Sequence, residues 1–244
     1  MHHVVLDEWA RRTSWFHQRD ARIKILVLIV FLVSLAGAPH HEPQYRLWAY
    51  AILPLAGLWA GRLPLAGVIF RAASVLPVAA AVALGSLAAG DVSRACALVT
   101  KSFVSALAVL VAMGSTPMPQ VVAGLESLGA PRFLLWVLQF LHRYLFVISE
   151  QAQHMRLAAL SRGAAGGPRF NHARMRAAAG AIAVLFARSH HRGESIYRAM
   201  ISRGYSGKLH MGEPRKLNRG DYLLMVMGLT ATMGLRFGLV LLPW

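Results

Sequence analysis

Residues 132–163 read RFLLWVLQFLHRYLFVISEQAQHMRLAALSRG, and whether this stretch crosses a membrane or lies outside it decides the fold. Its first half, Phe133 to Ile148, is apolar, yet Gln139, His142 and Arg143 interrupt it. An arginine at mid-membrane costs about 2.5 to 3.5 kcal/mol on insertion scales, and the histidine and glutamine add to that. Leu134, Leu138, Leu141, Leu145, Ile148, Ala152, Met155 and Ala159 instead recur at alternating steps of four and three, the seam of one helix lying along another. The stripe keeps its phase past Ile148. The spacing therefore predicts a rod over 132–162, roughly 45 Å long at about 1.5 Å per residue, and not a span.

Outward from the rod, a Gly/Ala-rich turn over 163–168 leads to a second helical pattern. It begins at Ala173, with Met175, Ala179, Ile182, Phe186, Ser189, Ile196 and Met200 along one side. Glu194 and Arg198 stand at the i, i+4 spacing that lets opposite charges pair on a helix, and Gly193 is a candidate break. The two patterns end alike, in Ser161-Arg162-Gly163 and Ser202-Arg203-Gly204. A glycine just past a helix takes the left-handed conformation readily, and a cation in the last turn suits the negative end of the helix dipole. Read plainly, these are two helix stops, in a chain where arginine and glycine are common. The functional reading is that each arginine projects as a bidentate fork toward a carboxylate of a partner. Upstream of the rod, Thr116-Pro117-Met118-Pro119 signals a helix start, Val121, Val122, Leu125 and Leu128 give it one apolar face, and Gly129 stops it.

The chain as a whole is more apolar than an ordinary soluble domain: of 244 residues 56% are hydrophobic and 15% charged, with a mean hydropathy of +0.47. Spans are expected at about 23–40, 47–61, 72–90 and 95–113, with a final one at 221–244. The expected architecture is thus all-α and polytopic. It divides into a lead-in and membrane bundle (1–113), a region of long amphipathic helices (114–220) and the last span. A cleavable signal peptide competes for the first span because Ala36-Gly37-Ala38 resembles a cleavage site, but the charged leader is long and the chain beyond stays membranous. Trp48 and Trp59 stand near the two ends of the second span, as interfacial aromatics do, and Gly57 with Gly61 forms a close-packing pair. Arg236 lies near enough to the chain end to snorkel.

The net charge is +16, and +11 of it falls between Gly114 and Gly220. Placing that region with Arg11 through Lys24, Arg62 and Arg71 on one side satisfies the positive-inside rule. It makes the N-terminus and the basic region cytoplasmic and the C-terminus external. A basic face between spans points to anionic lipid or an acidic protein partner rather than nucleic acid.

On these residues the chain resembles the transmembrane T component of energy-coupling factor (ECF) vitamin and metal importers. The resemblance rests on Thr116-Pro117 with Leu125, Gly129 and Pro131, on Arg143-Tyr144 and Glu150, and on Ser161-Arg162-Gly163. It continues through Glu194, Ala199-Met200 and Arg203-Gly204-Tyr205. Within the family, Leu6-Asp7 and Asp20-Ala21-Arg22-Ile23-Lys24 look like the opening signature of the cobalt-importer Q subunit, with Ala21 where the pattern has proline and serine where each Arg-Gly triplet has alanine. Nickel and biotin relatives share much of this pattern.

The resemblance implies a multi-pass protein of the bacterial inner membrane that docks two ATP-binding cassette (ABC) ATPase subunits through Ser161, Arg162, Gly163, Ser202, Arg203 and Gly204. Arg143, Glu150, Glu194 and Arg198 would support the coupling helices. ATP and Mg would be held by those partners, and the metal by a separate substrate-binding membrane subunit.

The residues themselves agree with a chain that binds no cofactor. No phosphate-loop pattern occurs, and the single cysteine, Cys96, excludes a disulfide framework. The paired histidines His2-His3, His40-His41 and His190-His191 are not joined by carboxylates at ligand spacing. An integral-membrane enzyme holding an anionic lipid headgroup is a reading from another class, but the basic region lacks a convergent His/Asp/Glu set. A channel or independent carrier is a third, but the first four spans carry few ionisable residues to line a polar path, Lys101 being the main one.

Overall fold

The computed structural model describes residue 9 and residues 14–39, 44–164, 172–206 and 217–241. The expectations placed on Leu6-Asp7, on His2-His3 and His40-His41, on most of the 163–168 turn and on much of the 204–220 linker lie outside these residues. The described residues are helical, without strands. In order the helices are α1 (Ala21–Ala36), α2 (Gln44–Ala49), α3 (Ile52–Ala60), α4 (Leu65–Ala73), α5 (Leu76–Ala88) and α6 (Val92–Gly114), followed by α7 (Met118–Ser127), α8 (Arg132–Ala159), α9 (His172–Ser202) and α10 (Arg219–Leu241). They form two compact units, Met1–Ala130 with Glu213–Trp244, and Pro131–Gly212.

In the first unit α6 is the hub, with α1, α2, α3, α4 and α5 packed around it, while α7 and α10 pack on α1. One core cluster joins Phe31, Leu35, Tyr50, Ala51, Val104 and Ala108, with Phe31 and Tyr50 edge to face at 6.1 Å. A second joins Trp9, Leu58, Leu63, Val68 and Val111. The expected second span is two helices, broken at Tyr50–Ala51. Pro54 accounts for the break, because it lacks an N–H and its ring crowds the carbonyl four residues back. The expected third span starts seven residues early, at Leu65, and is interrupted at Ser74–Val75. Arg71, which reads as a loop charge, instead lies within α4, stacked 4.5 Å over Trp9 and bonded to the Gly67 carbonyl at 3.2 Å. Of the glycine pair, Gly57 is packed closely, since a Cβ there would meet Val111 at 3.1 Å, whereas Gly61 ends α3.

Both ends of α1 are closed by side chains, the carbonyl end by residues of α6 and α10 and the other by its own cap. Helix ends leave backbone groups without partners, and cations suit the carbonyl end. There Lys101 donates to the carbonyls of Ala36 at 3.3 Å and Ala38 at 2.6 Å, and Arg236 donates to that of Ser34 at 3.1 Å. Arg236 therefore turns inward to α1 rather than snorkelling to the chain end, and Lys101 caps a helix rather than lining a path. At the other end Asp20 accepts the Arg22 N–H at 2.9 Å.

Three helical stretches are long and apolar enough to cross a membrane by length and composition: Leu65–Ala88, Val92–Gly114 and Arg132–Gly163. The third is the predicted rod. An 18-residue window of it has a mean hydropathy of 1.3, against 2.0 for windows of the other two, which reflects the polar residues noted above.

The second unit consists of α8, α9 and the connection between them. Both helices are continuous, α8 over 28 residues and α9 over 31, and Gly193 does not interrupt α9. In the first half of α9 the predicted seam is out of phase: Met175, Ala179, Ile182 and Phe186 are exposed, Ile182 and Phe186 by 67% and 73%, while Ala181 and Leu185 are half-buried. In the second half Ser189, Ile196 and Met200 are half-buried as predicted. On α8, Leu138, Leu145, Ile148, Ala152 and Met155 are half-buried as predicted, but Leu134, Leu141 and Ala159 are exposed.

Candidate functional site

The two Ser-Arg-Gly triplets end the two long helices in the same way. Past α8 the chain makes one wide turn, Leu160–Ala164, in which Arg162 (φ −89°, ψ 15°) leaves the helical region and Gly163 takes φ 85°. Past α9, Gly204 takes φ 80°, its N–H meets the Ile201 carbonyl at 2.9 Å, and the Tyr205 N–H meets the Met200 carbonyl at 3.0 Å. That paired pattern is the Schellman stop. Each serine folds back on its own helix, Ser161 Oγ to the Ala158 carbonyl at 2.9 Å and Ser202 Oγ to that of Ala199 at 3.0 Å. The serines thus tighten the last turns, and the arginines project. Arg162 and Arg203 are exposed, with no ion-pair partner among the described residues.

A left-handed residue with a Cβ costs about 1 kcal/mol. Gly204→Ala is therefore expected to fray the end of α9 and speed amide exchange at position 204 and at Tyr205, whose N–H groups make the stop. Unchanged exchange there would contradict the stop geometry.

Between the facing parts of α8 and α9 lies a groove of about 850 Å³. Val147, Met155, Ala158 and Val184 give it apolar walls, His154 lines it as well, and Glu150, Arg162, Arg188 and Arg192 give it charge. The groove brings Glu150 and Arg162 onto one surface, although no ion pair joins them. Glu194 and Arg198 do pair, at 3.6 Å, as their spacing predicts. Both are exposed, so the pair adds only about 0.3–0.5 kcal/mol. Arg143 is exposed, and its guanidinium lies 5.8 Å from the centroid of the Tyr144 ring. Arg188 and Arg192 were counted in the basic region but given no role by the sequence. Their four-residue spacing, which puts them on one helix face, was the available signal.

A second polar cluster lies in the first unit, and it gathers residues that the sequence marks only by resemblance. Asp221 at the start of α10 is 1% exposed and accepts from the backbone N–H groups of Asp20 at 3.2 Å and Asn218 at 2.9 Å. Arg19 stands 3.7 Å from the same carboxylate. Lys24, 4% exposed, donates to the Ser115 carbonyl at 3.0 Å and Thr116 Oγ1 at 3.2 Å. The motif residues Asp20, Lys24 and Thr116 therefore meet at one end of the bundle, tying together α1, the end of α6 and the start of α10. No group of three or more potential metal ligands occurs among the described residues.

Fold and surface together define an all-helical, polytopic membrane protein whose second compact unit is a pair of long basic helices with matched ends. The family model for the cobalt transport protein CbiQ matches residues 14–213, and the chain belongs to that family. It is thus a membrane component of cobalt transport. No curated protein matches the chain.

Proposed function

We propose that this chain is the energy-coupling T subunit of an ECF-type ABC importer in the bacterial inner membrane. In this reading α8 and α9 are cytoplasmic coupling helices, and Arg162 and Arg203 each dock one ATPase subunit. ATP and Mg stay on those subunits. Their closure moves the two helices, and the membrane bundle passes the motion to a separate substrate-binding membrane subunit carrying cobalt ions.

The observation that carries the proposal is the matched termination of the two helices, with an exposed arginine, a back-bonded serine and a left-handed glycine at each end. An exposed guanidinium on a fixed helix end is suited to a bidentate grip on a carboxylate. Two equivalent ends suit two copies of one partner. Keeping α8 outside the lipid leaves Arg143, His142 and Gln139 hydrated, which avoids the cost of an arginine at mid-membrane. Glu150, Arg143 and the Glu194–Arg198 pair then act as support for the helices rather than as docking points.

The cargo is tested by uptake. Cells carrying the whole transporter are expected to accumulate cobalt at low external concentration in preference to nickel or biotin. Equal nickel uptake, or biotin uptake without cobalt, would overturn the cargo assignment and leave the docking proposal standing.

A further inference from the structure

The first unit contains a part-open cavity of about 730 Å³ between α1, α3, α6 and α10. Its walls are apolar, including Val27 and Phe31 from α1, Leu53 from α3, Val111 from α6, and Leu224 and Leu235 from α10. Among the described residues Lys24 is the one charged side chain that lines it. A volume of this size is typical of small-molecule and cofactor sites.

The cavity is polarised along its length. At one end stand Trp15, Phe16 and Lys24, with the Phe16 ring centroid 4.9 Å from the Lys24 ammonium and the Arg19 guanidinium 4.3 Å from that of Trp15. Lys24 uses two of its three ammonium protons on Ser115 and Thr116. Three basic side chains, Arg19, Arg22 and Lys24, stand here against two acidic ones, Asp20 and Asp221. Toward the other end the lining is hydrocarbon. From Leu224 to Leu235 it extends roughly 16 Å at about 1.5 Å per residue, close to half of the roughly 30 Å hydrocarbon core. An apolar slot one leaflet deep, with cations and an exposed tryptophan at its polar end, has the dimensions and charge of an anionic phospholipid.

We propose that this cavity is a specific site for one anionic phospholipid, with an acyl chain between α1, α3 and α10 and the phosphate at the Lys24–Arg19 end. The bound chain fills the gap between α3 and α10 and so completes the bundle. The inference goes beyond ATPase docking and does not depend on it.

The test uses the purified full chain in detergent, exchanged with equal amounts of dioleoylphosphatidylglycerol and dioleoylphosphatidylcholine, with retained lipid counted by native mass spectrometry. One phosphatidylglycerol per chain is expected, retained about tenfold over phosphatidylcholine, a difference equivalent to about 1.4 kcal/mol. Ala231→Phe, which fills the cavity from an exposed lining position and leaves the polar cluster untouched, is expected to lose that lipid with its helix content unchanged. Lys24→Gln is expected to bring the two lipids to equal retention. Equal retention by the unaltered chain would overturn the proposal, as would undiminished retention in Ala231→Phe. If Ala231→Phe keeps its lipid but loses a co-purifying membrane subunit, the cavity is a protein interface and the lipid site is refuted.

Discussion

Arg162→Glu combined with Arg203→Glu is expected to abolish co-purification of the ATPase subunits and bring ATP-driven uptake to background. Truncating one partner of a buried, hydrogen-bonded charge pair at an interface costs about 2–5 kcal/mol, and charge reversal adds repulsion. At about 1.4 kcal/mol per tenfold, each docking point then loses at least about 30-fold in affinity, and the two losses compound. Both side chains are exposed and neither has an ion-pair partner among the described residues, so the fold should tolerate the change. Glu194→Gln, which breaks only the exposed pair with Arg198, is the control and is expected to leave assembly intact. Normal assembly and uptake in the double variant would remove the docking assignment.

The second large effect falls on stability. Asp221→Ala deletes the acceptor for the Asp20 and Asn218 N–H groups and the counter-charge of Arg19, in a site where the carboxylate is 1% exposed. Breaking a buried pair from one side costs about 3–5 kcal/mol. For a chain of this size the expected fall in melting temperature is roughly 6 to 20 °C at about 2–4 °C per kcal/mol. Asp221→Asn keeps an oxygen acceptor and loses the charge, so it is expected to fall between the two. A melting temperature unchanged in Asp221→Ala would show that this cluster does not hold α1 to α10.

The parts of this molecule legible in its sequence are those whose partners are close along the chain. The stops at Gly163 and Gly204 follow from a glycine after a helical pattern, and the Glu194–Arg198 pair from its spacing. The Asp20–Lys24 segment is legible only as a resemblance to the family's opening signature, with no sign of what it touches, because Ser115, Thr116 and Asp221 lie 91, 92 and 201 residues from the groups they meet. Nothing local marks such a bond. Arg236 and Lys101 were misjudged for the same reason, since the carbonyls they satisfy belong to the far end of α1.

Phase was harder to read than periodicity. The spacing of Ile182 and Phe186 marks a helix face but not which way it turns, and alanines such as Ala181 fill the closer contact that a bulky side chain would prevent. At Arg71 the charge that suggested a loop is held within a helix by the Trp9 ring. Pro54 marks the break at Tyr50–Ala51, although the hydropathy of the segment is that of one continuous span.

The central claim is that two equivalent helix ends engage two ATPase subunits, and the stoichiometry of the purified complex tests it most directly. Native mass measurement is expected to show two ATPase subunits for each copy of this chain. Arg162→Glu alone and Arg203→Glu alone should each weaken one docking point and leave a population carrying a single ATPase subunit. A complex with one ATPase subunit in the unaltered protein, or two retained in full by both single variants, would contradict the account.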